Sequence, residues 1–318
     1  MTSLIRCFVF ALTIVVGGAA FGTAVATAQE EEKLSGLAAY ASPDEPPTFE
    51  EPTDAVAALE KTLADDDFDA MAALLGLDAA ELRTNDDVMQ SYQEIRERAA
   101  ERVIVSDEAD EKILLLGREL WPFPFPISKT EEDTWAFDTY AGFEEIIARR
   151  VGENELTAIA TVRSYVDAQI DYGSVDWDGD GVFEYAQKLI SSPGQTDGLY
   201  WPADQGDGIS PAGPYIDQAE ADDAAEDGYF GYRFRILTSQ GDNVAGGSYD
   251  YVINGNMIAG FALIAWPVNY GLSGVNTFIV SHHGIVYQRD LGDSTKDIVP
   301  FIDRFNPDED WEIVGPFG

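Results

Sequence analysis

The chain is short of cysteine, histidine and positive charge, and each shortage removes a class of chemistry. Cys7 is the single cysteine. It lies in an N-terminal segment expected to be removed, so the remaining chain has no disulfide, thiol nucleophile or thiolate metal site. The two histidines, His282 and His283, are adjacent on an expected hairpin. Neighbours in a strand point to opposite faces, so they would not share a metal as a helical His-x-x-x-His pair does. One of them acting as a general base and a plain surface turn are the two readings left. The chain holds 19 Lys and Arg against 58 Asp and Glu, a formal net charge of −39. Nucleic acid and anionic membrane surfaces need a basic patch, and both are excluded as partners. A salty habitat and low-affinity binding of divalent cations both fit such a surface. Gly-x-Ser-x-Gly and lysine-bearing phosphate-loop patterns are absent as well.

The first 28 residues carry one charge, Arg6, then an apolar stretch from Cys7 to Val16 and small residues to Ala28. Ala26-Thr27-Ala28 before Gln29 is a small-x-small cleavage pattern, which reads as a signal peptide over 1–28. Its apolar core is shorter than the about 20 residues that span a bilayer. No later stretch comes close, so no membrane span is expected after cleavage. The expected location is outside the cytoplasm, in the periplasm or the extracellular space. Residues 29–52, with Pro43, Pro46, Pro47 and Pro52 among acids, read as a flexible acidic leader.

The remainder reads as α+β in two domains. In 53–150, a helix capped by Thr53 or Asp54 carries Val56, Leu59 and Leu63. A second helix (Phe68 to Leu75) and a third (Asp87 to Glu101) follow. Period-two runs come next: Val103 to Val105, Ile113 to Leu116, Phe123 to Ile127 and Thr134 to Phe137. Alternating prolines place the Phe123 run at a sheet edge. Phe143 to Arg150 closes the unit as a helix. In 151–318, a separate helix from Asn154 to Tyr172 bears an apolar stripe of Leu156, Ile159, Val162, Val166 and Ile170. A short helix (Phe183 to Ile190) and a long loop to Gly228 lead to strands at Tyr232–Leu237, Tyr249–Ile253, Ile258–Trp266, Thr277–Val280 and Ile285–Gln288. Turn signals such as Asn254-Gly255 separate them.

One motif carries chemistry. Asp176, Asp178 and Asp180 alternate before Gly181, the first half of a calcium loop. Hard Ca²⁺ takes six to eight oxygens, and alternate carboxylates converge where a glycine permits the turn. An EF-hand would place glutamate at position twelve, where Gln187 stands, so a shortened loop is expected, completed by Glu184 and the Val182 carbonyl. The role expected for Ca²⁺ is structural, and a solvated Asp/Gly turn is the other reading. Leu199-Tyr200-Trp201 and the run Tyr249, Tyr251, Phe261, Trp266 offer either a stacking surface for a ligand or core packing. From Ala203 to Tyr232, eight acids occur with no basic residue, which reads as a solvated loop or as a second, weaker cation site.

Several of these runs together resemble an uncharacterised bacterial exported family, domain of unknown function 2950. They include Glu155-Leu156-Thr157-Ala158-Ile159, Asp178-Gly179-Asp180-Gly181, Asp197-Gly198-Leu199-Tyr200-Trp201-Pro202, Gly231-Tyr232-Arg233-Phe234-Arg235, Tyr249-Asp250-Tyr251-Val252-Ile253 and Trp121-Pro122-Phe123-Pro124. The resemblance implies no activity and carries over no catalytic residue. By element order the first domain resembles the NTF2-like cone. The helix, acidic loop and antiparallel meander of the second are similar to the globular part of type IV pilin-like and pseudopilin proteins. Those carry a long apolar helix directly before this module; here it is missing, so polymerisation is not expected. The function expected is that of a non-enzymatic binding or envelope-associated protein, its partner an envelope component or a small ligand. The alternative is a carboxylate-dependent hydrolase of an envelope polymer.

Overall fold

Helix starts in the first half are set by side chains that supply acceptors to unpaired first-turn amides. Asp67 accepts from the Ala70 N–H at 3.0 Å, Asp78 from Ala80 at 2.9 Å and Asn85 from Asp87 at 2.9 Å. The helix α1 (Pro52–Ala64) precedes them, and they open α2 (Phe68–Leu74), α3 (Ala79–Leu82) and α4 (Asp86–Glu101). The expected cap of α1 at Thr53 or Asp54 is replaced by Glu51, with Pro52 in the first turn, where a missing N–H loses no bond. This computed structural model describes residues 37–108, 111–205, 208–213 and 228–315. The expected signal segment, the start of the leader and most of the acidic stretch before Tyr232 lie outside the described residues.

The described chain is mixed helix and antiparallel sheet, and it divides into two compact units, one up to Ile146 and one from Ile147. In the first, β1 (Val103–Glu108) pairs with β2 (Glu111–Leu116), Val103 opposite Leu116. The other edge of β2 takes β3 (Trp121–Pro122) and then β4 (Ile127–Lys129), which pairs β5 (Trp135–Phe137). The expected strand from Phe123 to Ile127 therefore does not form; only Ile127 lies in a strand, at the start of β4. Pro124 and Pro126 cannot donate to a ladder, and Phe123 and Phe125 turn into the core instead. That core joins Leu59, Phe68, Met71 and Tyr92 of the helices to Leu114, Leu116 and Phe137 of the sheet.

The two helices expected on either side of residue 151 are one, α5 (Thr139–Tyr172), capped by Asp138 through the Ala141 N–H at 3.0 Å. A lone Gly152 costs about 1 kcal/mol of helix propensity and does not break a helix that lacks proline. Its buried face in the second unit is Ala158, Ile159, Val162, Tyr165, Val166, Gln169 and Tyr172. Leu156 and Ile170, expected in the stripe, are exposed.

This face packs in one core with a five-stranded antiparallel sheet, ordered β14-β13-β12-β11-β6. Its strands are β6 (Tyr232–Leu237), β11 (Ala262–Pro267), β12 (Asn276–Ser281), β13 (Val286–Asp290) and β14 (Glu312–Ile313). Between β6 and β11 lie β7 (Ser239–Gln240), β8 (Tyr249–Asp250), β9 (Val252–Ile253) and β10 (Asn256–Met257). The turn between β9 and β10 is the Asn-Gly one expected, with φ of 55° at Asn254 and 99° at Gly255. Glu155 ties the helix to the sheet, accepting from the amides of Val275 (2.9 Å) and Asn276 (2.8 Å). The chain then ends its described part with α6 (Thr295–Ile298), a 3₁₀ turn and β14.

Gly142 tests the packing of the first unit. A Cβ there would be driven into the ring of Phe125, which is itself held by Phe123 and Phe143. Alanine gains about 1 kcal/mol of helix propensity, but overpacking a core costs about 1–3 kcal/mol. Gly142→Ala is expected to lower stability in urea unfolding despite its helical position; a gain would mean the ring moves freely.

Candidate functional site

The alternating aspartates converge as their spacing requires. One carboxylate oxygen from each of Asp176, Asp178 and Asp180 lies within 4.8 Å of the others. Oxygens of the same carboxylates also brace the loop. Asp176 accepts from Gly179 (2.8 Å) and Gly181 (3.0 Å), Asp178 from Asp180 (3.1 Å) and Asp180 from Val182 (2.7 Å). Gly179 and Gly181 both take positive φ, 76° and 89°, which glycine adopts without strain. Glu184, expected to complete the set, is not one of the converging groups: its Oε2 accepts the Met257 N–H at 3.1 Å.

Anchors hold this loop on both sides. Trp177 points inward, donating its indole N–H to the Tyr172 carbonyl at 3.0 Å and meeting Trp201 edge-on at 4.8 Å. On the exit side Asn256 donates to Asp180 Oδ2 at 3.0 Å. Tyr185 pairs with Met257, and the Gln187 side chain donates to the Gly255 carbonyl at 2.7 Å. These bonds explain why the helix expected over Phe183 to Ile190 does not form: its backbone is spent on the β9–β10 hairpin and on strand-like bonds from Leu199 and Tyr200. The amide of Gln169, fully buried on α5, both donates to the Ala186 carbonyl (2.8 Å) and accepts its N–H (2.9 Å).

The charges leave their mark on neighbouring groups. Desolvation, and then the carboxylates of Asp178, Asp180 and Asp176, push the Glu184 carboxyl up, against the Met257 amide. The Tyr172 hydroxyl is pushed up to about 12, first by burial and then by Glu184, Asp197 and Asp178. Burial alone would raise Asp197, but hydrogen bonds from Lys188 and Ser192 overcome it and hold that carboxyl low. Asp197 thereby fastens the loop that follows the aspartates.

That loop forms one wall of a cavity of about 580 Å³ within the second unit. Leu189, Ile190, Leu199 and Tyr200 come from the loop, and Thr157, Ala160, Thr161 and Ser164 from α5. Tyr229, Phe234, Leu263 and Trp266 come from the sheet side, with Arg233. No aspartate or glutamate is among its described lining residues. The two readings of the aromatic runs are divided between these sites. Tyr251 and Phe261 are core, whereas Tyr200 and Trp266 line the cavity. The small and hydroxyl-bearing helix residues were not singled out from sequence; their signal is the spacing 157, 160, 161, 164, one face without a bulky side chain.

The histidines occupy the β12–β13 turn rather than a strand, so their rings do not point to opposite faces. They lie 4.2 Å apart. His282 packs against Tyr251 and Phe261, and its Nδ1 is buried with no hydrogen-bond partner among the described residues. Neither histidine lines the cavity. Burial, and then His283, hold the His282 imidazole below its usual 6.5, against the pull of the Phe261 backbone. Around and below pH 6.5 the unfolded chain binds more protons than the folded one, so stability rises with pH there. The contribution is lost as pH falls below about 6.5. The difference in urea-unfolding stability between the wild type and His282→Asn is expected to move in favour of the wild type from pH 5 to pH 8. A difference independent of pH would contradict this.

No curated protein and no solved structure matches the chain. A family model does, over residues 47–314, which take in both cores, the aspartate loop and the cavity. The chain therefore belongs to the family described as protein of unknown function (DUF2950).

Proposed function

We infer that the chain is an exported, non-enzymatic binding or envelope-associated protein whose second unit receives a small, mainly apolar ligand. The observation that carries this reading is the cavity beside α5. Its volume falls within the roughly 300–1,000 Å³ of small-molecule sites, and aromatic and aliphatic walls with a few polar groups are their usual lining. In a chain with 58 acids, walls free of described carboxylates are a selective feature. The same feature leaves carboxylate-dependent hydrolysis without a group to perform it there. A helix packed with an antiparallel sheet is the basis on which we carry the NTF2-like likeness for the first unit and the pilin-like one for the second, as proposals of fold.

The aspartate loop takes a supporting part in this reading, as a structural Ca²⁺ site. Oxygens on opposite sides of a calcium ion, each at about 2.3–2.6 Å, stand about 5 Å apart. One oxygen from each of the three aspartates lies within 4.8 Å of the others, inside that span. Asp176, Asp178 and Asp180 would hold the ion, with the Val182 carbonyl as a further oxygen; Glu184 would join only through Oε1, the oxygen not bonded to the Met257 amide. Carboxylates and carbonyls suit a hard cation rather than zinc or copper.

Two measurements test these parts separately. A neutral fluorescent reporter, N-phenyl-1-naphthylamine, is expected to bind the whole chain at one site and to be lost in Ala160→Trp, which fills the cavity from an exposed helix position. Binding unchanged in that variant would place the reporter elsewhere and defeat the cavity reading. Calcium at 100 times its Kd would add about 2.7 kcal/mol of stability. A rise in Tm specific to calcium over magnesium at matched ionic strength, absent in chelator and reduced in Asp178→Asn, is expected. Equal responses to both ions would reduce the loop to charge screening.

A further inference from the structure

We propose that the ligand of the cavity is an apolar monocarboxylic acid, its body against the aromatic walls and its carboxylate on Arg233; this rests on the reading of the cavity as a binding site. Arg233 is the one charged residue among the described lining. It stands directly opposite Trp266 in the β6–β11 register, on the same sheet face, and both residues line the cavity. The other described arginines of the strands are engaged. Arg235 donates to the carbonyls of Val299 and Ile302, both at 2.8 Å, and Arg289 pairs with Asp308 and Asp310. Arg233 is exposed and has no such partner among the described residues.

Guanidinium matches a carboxylate with two parallel N–H···O bonds, a geometry that neither an alcohol nor an ester reproduces. The charge of the ligand is limited as well. One cation balances one carboxylate, while a surface of net charge −39 opposes anything more highly charged. On the helix side, Thr157 and Thr161 give their hydroxyl protons to the carbonyls of Glu153 and Thr157. Their hydroxyl protons are therefore spent on the helix backbone, so the charge-matched group of the site is Arg233.

The test is calorimetric titration of the whole chain with two acids, decanoate and 4-phenylbutyrate, each against the alcohol of the same skeleton. At low ionic strength at least one acid is expected to bind tenfold or more tightly than its alcohol. In Arg233→Gln the acid and alcohol are expected to bind equally, and Arg233→Lys is expected to restore part of the preference. Ala160→Trp, or Ser164→Phe should the first unfold, is expected to abolish binding of both, with thermal unfolding as the control for folding. Acid and alcohol binding equally to the wild type, or a preference that survives in Arg233→Gln, would overturn the assignment of the acid while leaving the cavity as a site. Binding of neither acid nor alcohol would overturn both.

Discussion

A single buried amide holds the second unit in the form on which the rest depends. Gln169 on α5 pairs with both backbone groups of Ala186 and donates to the Tyr165 hydroxyl, which in turn donates to Ala262 of β11. Helix, loop exit and sheet are thereby joined through polar groups that would each cost about 1–3 kcal/mol if left unpaired in the interior. From Ala186 the chain can run only as the hairpin and Asp197 allow, and that path makes the loop wall of the cavity. The aspartate loop lies just before the same point, so its geometry and that of the cavity are fixed by one connection.

The acids of this chain are used in two ways. Most of the described ones are exposed, several of them in surface ion pairs with Lys or Arg. A few take backbone amides: Asp67 and Asp78 at helix starts, Glu155 at the entry to β12, Asp197 in the loop and the three aspartates around their own turn. Carboxylates in this second role are structural acceptors, and their number explains why no catalytic pair stands out among them. The cavity is the inverse case, a surface from which described carboxylates are missing.

Local signals were legible in the sequence and distant ones were not. The strand Tyr232–Leu237 and the Asn254-Gly255 turn read directly, because alternation and turn chemistry are carried by adjacent residues. The aspartate loop was equally plain from its alternation and Gly181. The span from Phe183 to Ile190 misled because its apolar spacing suits a helix, while its hydrogen bonds go to a hairpin about 70 residues later in the chain. The helix end expected at Arg150 and the new start expected at Asn154 did not form, since nothing packs within 4 Å of a Cβ at Gly152 and no proline interrupts the helical bonds. The cavity was hidden for a further reason. Thr157, Ala160, Thr161 and Ser164 mark it by what they do not fill, and its other walls come from segments about 25 to 110 residues away. Only the pairing across two strands brings Arg233 and Trp266, both lining residues, side by side.

The central claim is that the second unit binds its ligand in the cavity beside α5. Hydrogen exchange of the whole chain, with and without saturating decanoate, tests it most directly because it reports where protection arises. The account predicts slowed exchange in peptides covering 157–168, 189–200 and 262–267, with residues 52–137 unchanged. Protection centred elsewhere, or none while decanoate is bound, would contradict it.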